Sequence, residues 1–135
     1  MEIIQKNNKI IAMILRKNYK NKGIKFFTPT SFSQQVAQMS YNKGKIIDCH
    51  YHQNIKKNNI KTQEVLIMKT GKMKVFLFDK KKFICAKILN AGDLILLASG
   101  GHGFKVLKKS VFIEVKQGPY IPKEDKILFK SKKLN

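Results

Sequence analysis

The sequence has little cysteine and no long apolar run, and these two absences exclude several classes of protein. Its two cysteines, Cys49 and Cys85, are too few for the disulfide framework of a small secreted protein. No Cys-x-x-Cys pair is present, which excludes the common cysteine-based zinc sites. The apolar run at residues 10–15 is too short for a membrane span or a signal peptide. We therefore expect reduced thiols, a cytoplasmic location and no membrane partner.

Arginine is nearly absent: Arg16 is the only one, and lysine supplies the rest of the basic residues behind a formal net charge of +20. So large a positive charge makes a nucleic acid a partner to consider. Bidentate phosphate clamps and base contacts favour arginine, however, and the lysines are spread along the whole chain. Abundant lysine, asparagine and isoleucine together also fit an AT-rich genome. We therefore rank a solvated lysine surface ahead of a nucleic-acid footprint, which stays open as an alternative.

Short runs of β-branched and aromatic residues, separated by turn residues about every ten positions, dominate the sequence. That pattern predicts an all-β fold, an antiparallel sandwich or closed barrel rather than an α/β fold. The nine predicted strands are residues 9–16, 24–27, 45–52, 64–69, 72–78, 83–89, 94–97, 104–107 and 111–116. The strands at 64–69 and 72–78 are expected to form a hairpin. One short helix is predicted near residues 30–39, where Thr30 or Ser31 can cap it.

A length of 135 residues suits one domain with one core. We assign residues 1–120 to a single barrel and residues 121–135 to a lysine-rich peripheral tail. The apolar strand at residues 9–16 could add to a partner's sheet, so a homodimer is expected.

Histidine is also scarce, and two of the three histidines lie one residue apart, at His50 and His52. Side chains alternate between the two faces of a strand, so a strand at residues 45–52 would point both imidazoles the same way. Such a pair is half of a metal site. Taken alone, it is more often a pair of surface histidines on an edge strand, so the rest of the chain has to decide.

Two glycines and a glutamate around this pair have informative spacing. Gly44 is followed by five residues and then by His50 and His52, and Glu64 is followed by six residues and then by Gly71. This resembles the first motif of the cupin superfamily, in which Gly, five residues and His-x-His precede a Glu, six residues and a Gly. The gap between His52 and Glu64 holds eleven residues where the family has three or four, and we interpret it as a loop insertion.

A second cupin-like motif runs from Gly92 to His102 in a more degraded form. It lacks the family's proline, with Ala98 near that place, and the family's final asparagine, with Val106 in its place. Residues 100–104 and 114–120 are also similar to a group of small bacterial cupins found among sugar and polysaccharide genes. The resemblance covers most of the chain and implies a small jelly-roll barrel.

The resemblance implies one divalent transition metal, Fe, Mn, Ni or Zn. The residues that it assigns as ligands are His50, His52, Glu64 and His102. Three imidazoles and one carboxylate suit these ions and leave positions open for water or substrate. If the long loop displaces Glu64, Gln53 or Gln63 could enter the shell instead.

Glu114 is a candidate catalytic acid or base, because it alternates with apolar neighbours on a predicted strand. If it faces outward instead, it is only a surface charge. The function implied is binding or conversion of a small polar molecule, sugar-derived or anionic, by isomerase, epimerase or oxygenase chemistry. A non-catalytic barrel that binds a small ligand and a basic nucleic-acid-binding protein are the alternatives, so the sequence leaves open whether the protein is an enzyme.

Overall fold

The structure is a computed structural model that describes residues 1–50, 52, 62–118 and 127–134. The fold is all-β, as predicted, with antiparallel strands of the barrel or sandwich class. In chain order the strands are β1 (Glu2–Lys6), β2 (Lys9–Leu15), β3 (Gly23–Phe26), β4 (Ala37–Ser40), β5 (Glu64–Asp79), β6 (Lys82–Asn90), β7 (Leu94–Leu97) and β8 (Gly101–Lys116). A single 3-10 turn follows at Lys132–Leu134. The described residues contain no helix with the length and hydrophobicity that a membrane span needs.

The chain divides into two compact units, residues 1–19 with 62–135 and residues 20–61. The first unit is a six-stranded sheet with the order β1-β2-β7-β5-β6, in which β8 also pairs with β5. Strand β5 is its centre, because β8 lies along one side of it while β7 and then β6 lie along the other.

The core of this unit is mainly aliphatic and includes buried side chains from β2, β5 and β7. Its largest contributions come from β5, whose Met73, Val75 and Leu77 are fully buried. The methionine and phenylalanine side chains of this strand are also buried, each at most 3% exposed: Met68, Met73, Phe76 and Phe78. Such close burial of apolar side chains is the main stabilising contribution to the sheet.

The predicted hairpin of residues 64–69 and 72–78 is wrong, because both segments belong to the single strand β5. The Thr70-Gly71 pair that resembles a turn is a bulge: Gly71 has φ +84 and the register against β8 shifts on both sides of it. The amide of Lys72 donates to Ser110 Oγ of β8 at 3.0 Å, which holds the two strands together across the irregularity. For the same reason, the predicted strands 104–107 and 111–116 are one strand, β8.

The predicted strand at residues 9–16 is confirmed as β2, but its neighbours leave no edge for a partner. Strand β1, which the sequence analysis did not predict, pairs with one side of β2, and β7 pairs with the other. Addition of β2 to a partner's sheet, the predicted route to a homodimer, is therefore unavailable.

The sole arginine has a structural task in the first unit. Arg16 Nη1 donates to Asp93 Oδ2 and to the carbonyl of Ile88, each at 2.8 Å, and Nε donates to Glu2 at 3.0 Å. Asp93 is only 3% exposed and also accepts from the amides of Lys17 (3.2 Å) and Asn90 (2.9 Å). The guanidinium thus joins β1, β2 and the turn between β6 and β7. Hydrogen bonds from Arg16 and a lysine partner hold the pKa of Glu2 below its usual value.

The second unit, described over residues 20–50 and at residue 52, contains a two-stranded antiparallel ladder of β3 and β4. The helix predicted near residues 30–39 is wrong. Thr28 Oγ1 accepts from the amide of Val36 at 3.1 Å, and Gln35 Nε2 donates to the carbonyls of Pro29 and Phe32. These side chains close a turn that sends the following residues into β4, where backbone pairing replaces helical hydrogen bonds.

The predicted strand at residues 45–52 is also wrong over its described residues. Residues 45–50 and His52 have no strand conformation, and every one of them is exposed. A strand requires a neighbouring strand for its backbone groups, and no described strand pairs with this segment. Tyr51 lies outside the described residues.

Candidate ligand-binding cavity

Glu64 and His102 are brought into direct contact in the first unit. His102 Nε2 lies 3.0 Å from Glu64 Oε2, and both side chains are partly buried, 29% and 19% exposed. Glu64 is the first residue of β5, and His102 lies at the start of β8. The ring of His102 also packs on Phe104, with the ring centres 5.3 Å apart. The sequence prediction that these two residues share a site is consistent with this contact.

The contact requires β5 to curl strongly. His102 pairs with Leu77, near the far end of β5 from Glu64. At about 3.3 Å per residue, a straight strand would hold Glu64 and Leu77 about 43 Å apart. The bulge at Gly71 lies midway between them, and bulges bend strands and increase their twist. We infer that this bulge contributes to the curl that brings the ends of β5 together.

The pair lines an open cavity of about 700 Å³. This volume lies within the range of about 300–1,000 Å³ that is usual for small-molecule sites. The lining combines the Glu64–His102 pair, three lysines and an apolar wall. The lysines are Lys9, Lys80 and Lys81, and the apolar wall is Leu97, Ile127, Leu128 and Phe129.

The glycine cluster before His102 allows the turn between β5 and β6 to lie close to it. Gly100 has φ +76, and a side chain there would collide with the carbonyl of Phe78. A side chain at Gly101 would lie 2.7 Å from the carbonyl of Lys80. The two glycines therefore have a structural role, because only a residue without a side chain permits this approach.

Part of the predicted tail packs on the first unit. The ring of Phe129 meets that of Phe78 edge to face, with centres 5.2 Å apart, and also lies against Gly101. Ile127 and Leu128 are 87% and 84% exposed although they line the cavity. Residues 119–126 lie outside the described residues.

The other two predicted ligands, His50 and His52, belong to the second unit. Their rings are 5.2 Å apart in an edge-on arrangement, and His50 Nδ1 lies 3.0 Å from the carbonyl of Asp48. Both side chains are exposed. Of the four predicted ligands, Glu64 and His102 thus lie together in the first unit, and His50 and His52 lie together in the second.

The Glu64–His102 pair has the chemistry of two adjacent metal ligands. With metal–nitrogen and metal–oxygen distances of about 2.1 Å, two cis ligands of an octahedral ion lie about 3.0 Å apart. The observed separation of 3.0 Å is compatible with that arrangement and is equally that of a direct hydrogen bond between the two side chains. No group of three His, Cys, Asp or Glu side chains meets among the described residues, so the third ligand stays a prediction.

The remaining candidates lie elsewhere. Glu114 is exposed on β8, opposite Leu66, which fits its alternative interpretation as a surface charge. Gln63 is 4% exposed, and its Nε2 donates to the carbonyl of Ala98 at 3.4 Å. Gln53 lies outside the described residues. The sequence analysis missed Lys80 and Lys81, because a lysine pair does not stand out in so lysine-rich a chain.

Comparisons with known proteins gave no relative. No protein-family model matches the sequence, and searches of curated proteins and of solved structures found no match.

Proposed function

We propose that the protein binds a small polar or anionic molecule in the cavity and that Glu64 and His102 act on it. The observation that carries this proposal is the 3.0 Å contact between the two side chains at the wall of a cavity of about 700 Å³. Partly buried acid–base pairs in clefts are typical of functional sites. The proposal retains the predicted cupin character as a hypothesis about ancestry and metal content.

The chemistry of the pair follows from its geometry. If Nε2 of His102 carries the proton, it donates to the Glu64 carboxylate, which fixes the tautomer and leaves Nδ1 as the basic nitrogen. A histidine oriented in this way by a carboxylate can remove a proton from a bound hydroxyl or from a carbon next to a carbonyl. That step suits isomerisation or epimerisation of a sugar-derived substrate.

A divalent transition metal is part of the proposal. In a metal-bound form, Nε2 of His102 would carry no proton and would be a ligand together with Glu64, so this form is an alternative to the hydrogen-bonded acid–base pair. The sequence prediction adds His50 and His52 as ligands. When bound, such an ion would polarise a carbonyl or hydroxyl of the ligand, or support oxygen chemistry if it is iron.

Metal analysis of variants tests this part of the proposal. Purified protein would be stripped with a chelator, reloaded separately with Fe(II), Mn(II), Ni(II) or Zn(II), and analysed by mass spectrometry. We expect about one equivalent of one ion, reduced in His102→Gln and in the double variant H50Q/H52Q. Exposed Glu114→Gln is the matched control and should retain the metal. Absence of any divalent ion after reloading would refute metal binding.

Binding and turnover must be separated, because a barrel of this kind can bind a ligand without converting it. Sugar-derived acids would be screened by thermal shift, and hits would be followed by NMR for proton exchange at carbon. Exchange that disappears in E64Q while binding persists would support catalysis. Binding without exchange would favour the non-catalytic alternative.

A second candidate function, binding of a nucleic acid, is favoured by one surface. Lys72 lies opposite Lys108 and Lys74 opposite Lys105 on neighbouring strands, so two pairs of like charges face each other. Such pairs destabilise a sheet unless an anion lies between them. Binding to a single-stranded oligonucleotide that weakens steeply with salt, and weakens further in K74Q/K105Q, would support this function. Weak binding that changes neither with salt concentration nor in K74Q/K105Q would exclude nucleic-acid binding.

A further inference from the structure

We propose that Lys80 and Lys81 are anion-binding residues and that the ligand of the cavity carries a carboxylate or phosphate group. This inference rests on the proposed function, since it concerns the same cavity. It assigns a ligand class and two residues that lie far in sequence from every predicted ligand.

The first observation is a contrast between two hairpins of this chain. Strands β1 and β2 are joined by Asn7 and Asn8, with φ +48 and +59, between the paired residues Lys6 and Lys9. Asparagine is the residue, besides glycine, that adopts this left-handed conformation at little cost. The turn between β1 and β2 therefore has the expected residues.

The turn between β5 and β6 has the same length but different residues. Lys80 and Lys81 lie between the paired residues Asp79 and Lys82, and Lys80 has φ +53. Lysine at such a position carries a conformational cost that asparagine would largely avoid. Backbone strain of this kind is found preferentially at functional sites. A lysine retained in a strained conformation is thus a candidate for a role other than forming the turn.

The second observation is where the two side chains lie. Both line the cavity that contains Glu64 and His102. The turn is held there by the glycine pair, because the carbonyl of Lys80 occupies the space that a side chain at Gly101 would need. The sequence thus uses a glycine on β8 and a strained residue in the turn to place two lysines at the cavity.

The third observation is the charge balance of the lining. Within the described part of the chain, Lys9, Lys80 and Lys81 make no ion pair. The one carboxylate of the lining, Glu64, is in contact with His102. Among the described residues, these three lysines therefore line the cavity without a carboxylate partner, and an anionic ligand would supply one.

The chemistry of the ligand follows from this lining. Ammonium groups bind carboxylates and phosphates through charge-assisted hydrogen bonds, without the planar geometry that arginine imposes. The anionic group would be held near the turn between β5 and β6. The rest of the ligand would extend toward the apolar wall of Leu97 and Phe129.

The test replaces the turn by the residues that the other hairpin uses. The variant K80N/K81N removes both ammonium groups and supplies asparagine at the strained position. The control K6N/K82N removes the same two charges from exposed residues that do not line the cavity. Inorganic phosphate and succinate would be titrated separately by NMR at constant ionic strength, and each variant would be melted without ligand.

We expect saturable binding of phosphate or succinate to the wild type, unchanged in the control and at least about tenfold weaker in K80N/K81N. K80N/K81N should also melt at a higher temperature than the wild type, because the strain in the turn is relieved. Binding of equal strength in K80N/K81N and the wild type, or no saturable binding of either anion, would overturn the inference. Phosphate binding could weaken in K80N/K81N while E64Q and His102→Gln change neither metal content nor proton exchange. That result would support the anion site and refute the proposed function.

Discussion

The substitution D93N should destabilise the protein strongly, although it only replaces one carboxylate oxygen by an amide nitrogen. Asp93 Oδ1 accepts from the amide of Lys17, while Oδ2 accepts from Arg16 and from the amide of Asn90. Both oxygens are therefore in use, and the amide nitrogen of an asparagine would face a donor in either orientation. The substitution removes the charge opposite Arg16 and leaves at least one buried donor without a partner.

The magnitude follows from the burial of the two groups. Loss of one partner of a buried charge pair costs about 3–5 kcal/mol. The Arg16 side chain is 30% exposed, so water stabilises part of its charge, while Asp93 is 4% exposed at its side chain. Arg16 also retains Glu2 and the carbonyl of Ile88. We therefore expect the free energy of unfolding to fall by about 2–3 kcal/mol.

Urea unfolding followed by circular dichroism measures this change, since the chain has no tryptophan to report by fluorescence. The control is D79N, at the partly exposed aspartate that ends β5, which should change stability by less than about 0.5 kcal/mol. In the double variant R16M/D93N the two losses should be less than additive, because they share one contact. Equal losses in D93N and D79N would refute the structural task assigned to the arginine.

Three further predictions concern the bulge, the thiols and the N-terminal strand. G71A should cost about 3 kcal/mol, because its side chain would collide with β8, whereas G44A has a similar φ in open space and should cost only about 1 kcal/mol; equal losses in urea would contradict this. Iodoacetamide should modify exposed Cys49 faster than Cys85, whose thiol pKa is raised by burial, and mass spectrometry of the labelled peptides measures the ratio. The basic partners of Glu2 lower its pKa in the folded protein. Ion pairing of Glu2 therefore adds under about 1 kcal/mol to the free energy of unfolding at pH values above its unfolded-state pKa near 4.5. This contribution is lost as the pH falls through the folded-state pKa. The difference in unfolding free energy between wild type and E2Q should therefore shrink on acidification, and a difference that persists in acid would contradict the ion pairing.

The all-β class was predictable because strand periodicity and turn residues are local signals. The predicted strands at 9–16, 83–89 and 94–97 correspond closely to β2, β6 and β7. Predictions failed where one local pattern has two structural outcomes. Thr70-Gly71 can end a strand or form a bulge, and only pairing with β8 decides which. The predicted helix failed because Thr28 and Gln35 bind backbone groups and close a turn.

The candidate site was predictable in part. The family resemblance placed Glu64 and His102 in one predicted ligand set; their side chains are in contact, and their role as ligands stays a prediction. The curl of β5 that creates this contact depends on packing between strands distant in sequence, so no local pattern reveals it. Lys80 and Lys81 were hidden for another reason, since two more lysines in a lysine-rich chain carry no signal without the backbone angle.

The outer side of β8 has a consequence for how copies of the protein behave together. No described strand pairs with that side, and six apolar side chains along β8 are 38–57% exposed: Val106, Leu107, Val111, Phe112, Ile113 and Val115. A long apolar edge is a template for intermolecular β-association, and lysines such as Lys105, Lys108 and Lys109 oppose it. The net charge of +20 therefore opposes self-association, because copies of the protein repel one another. Salt screens this repulsion, and the screening length is about 8 Å at physiological ionic strength. The protein should therefore be more soluble at low than at high salt concentration.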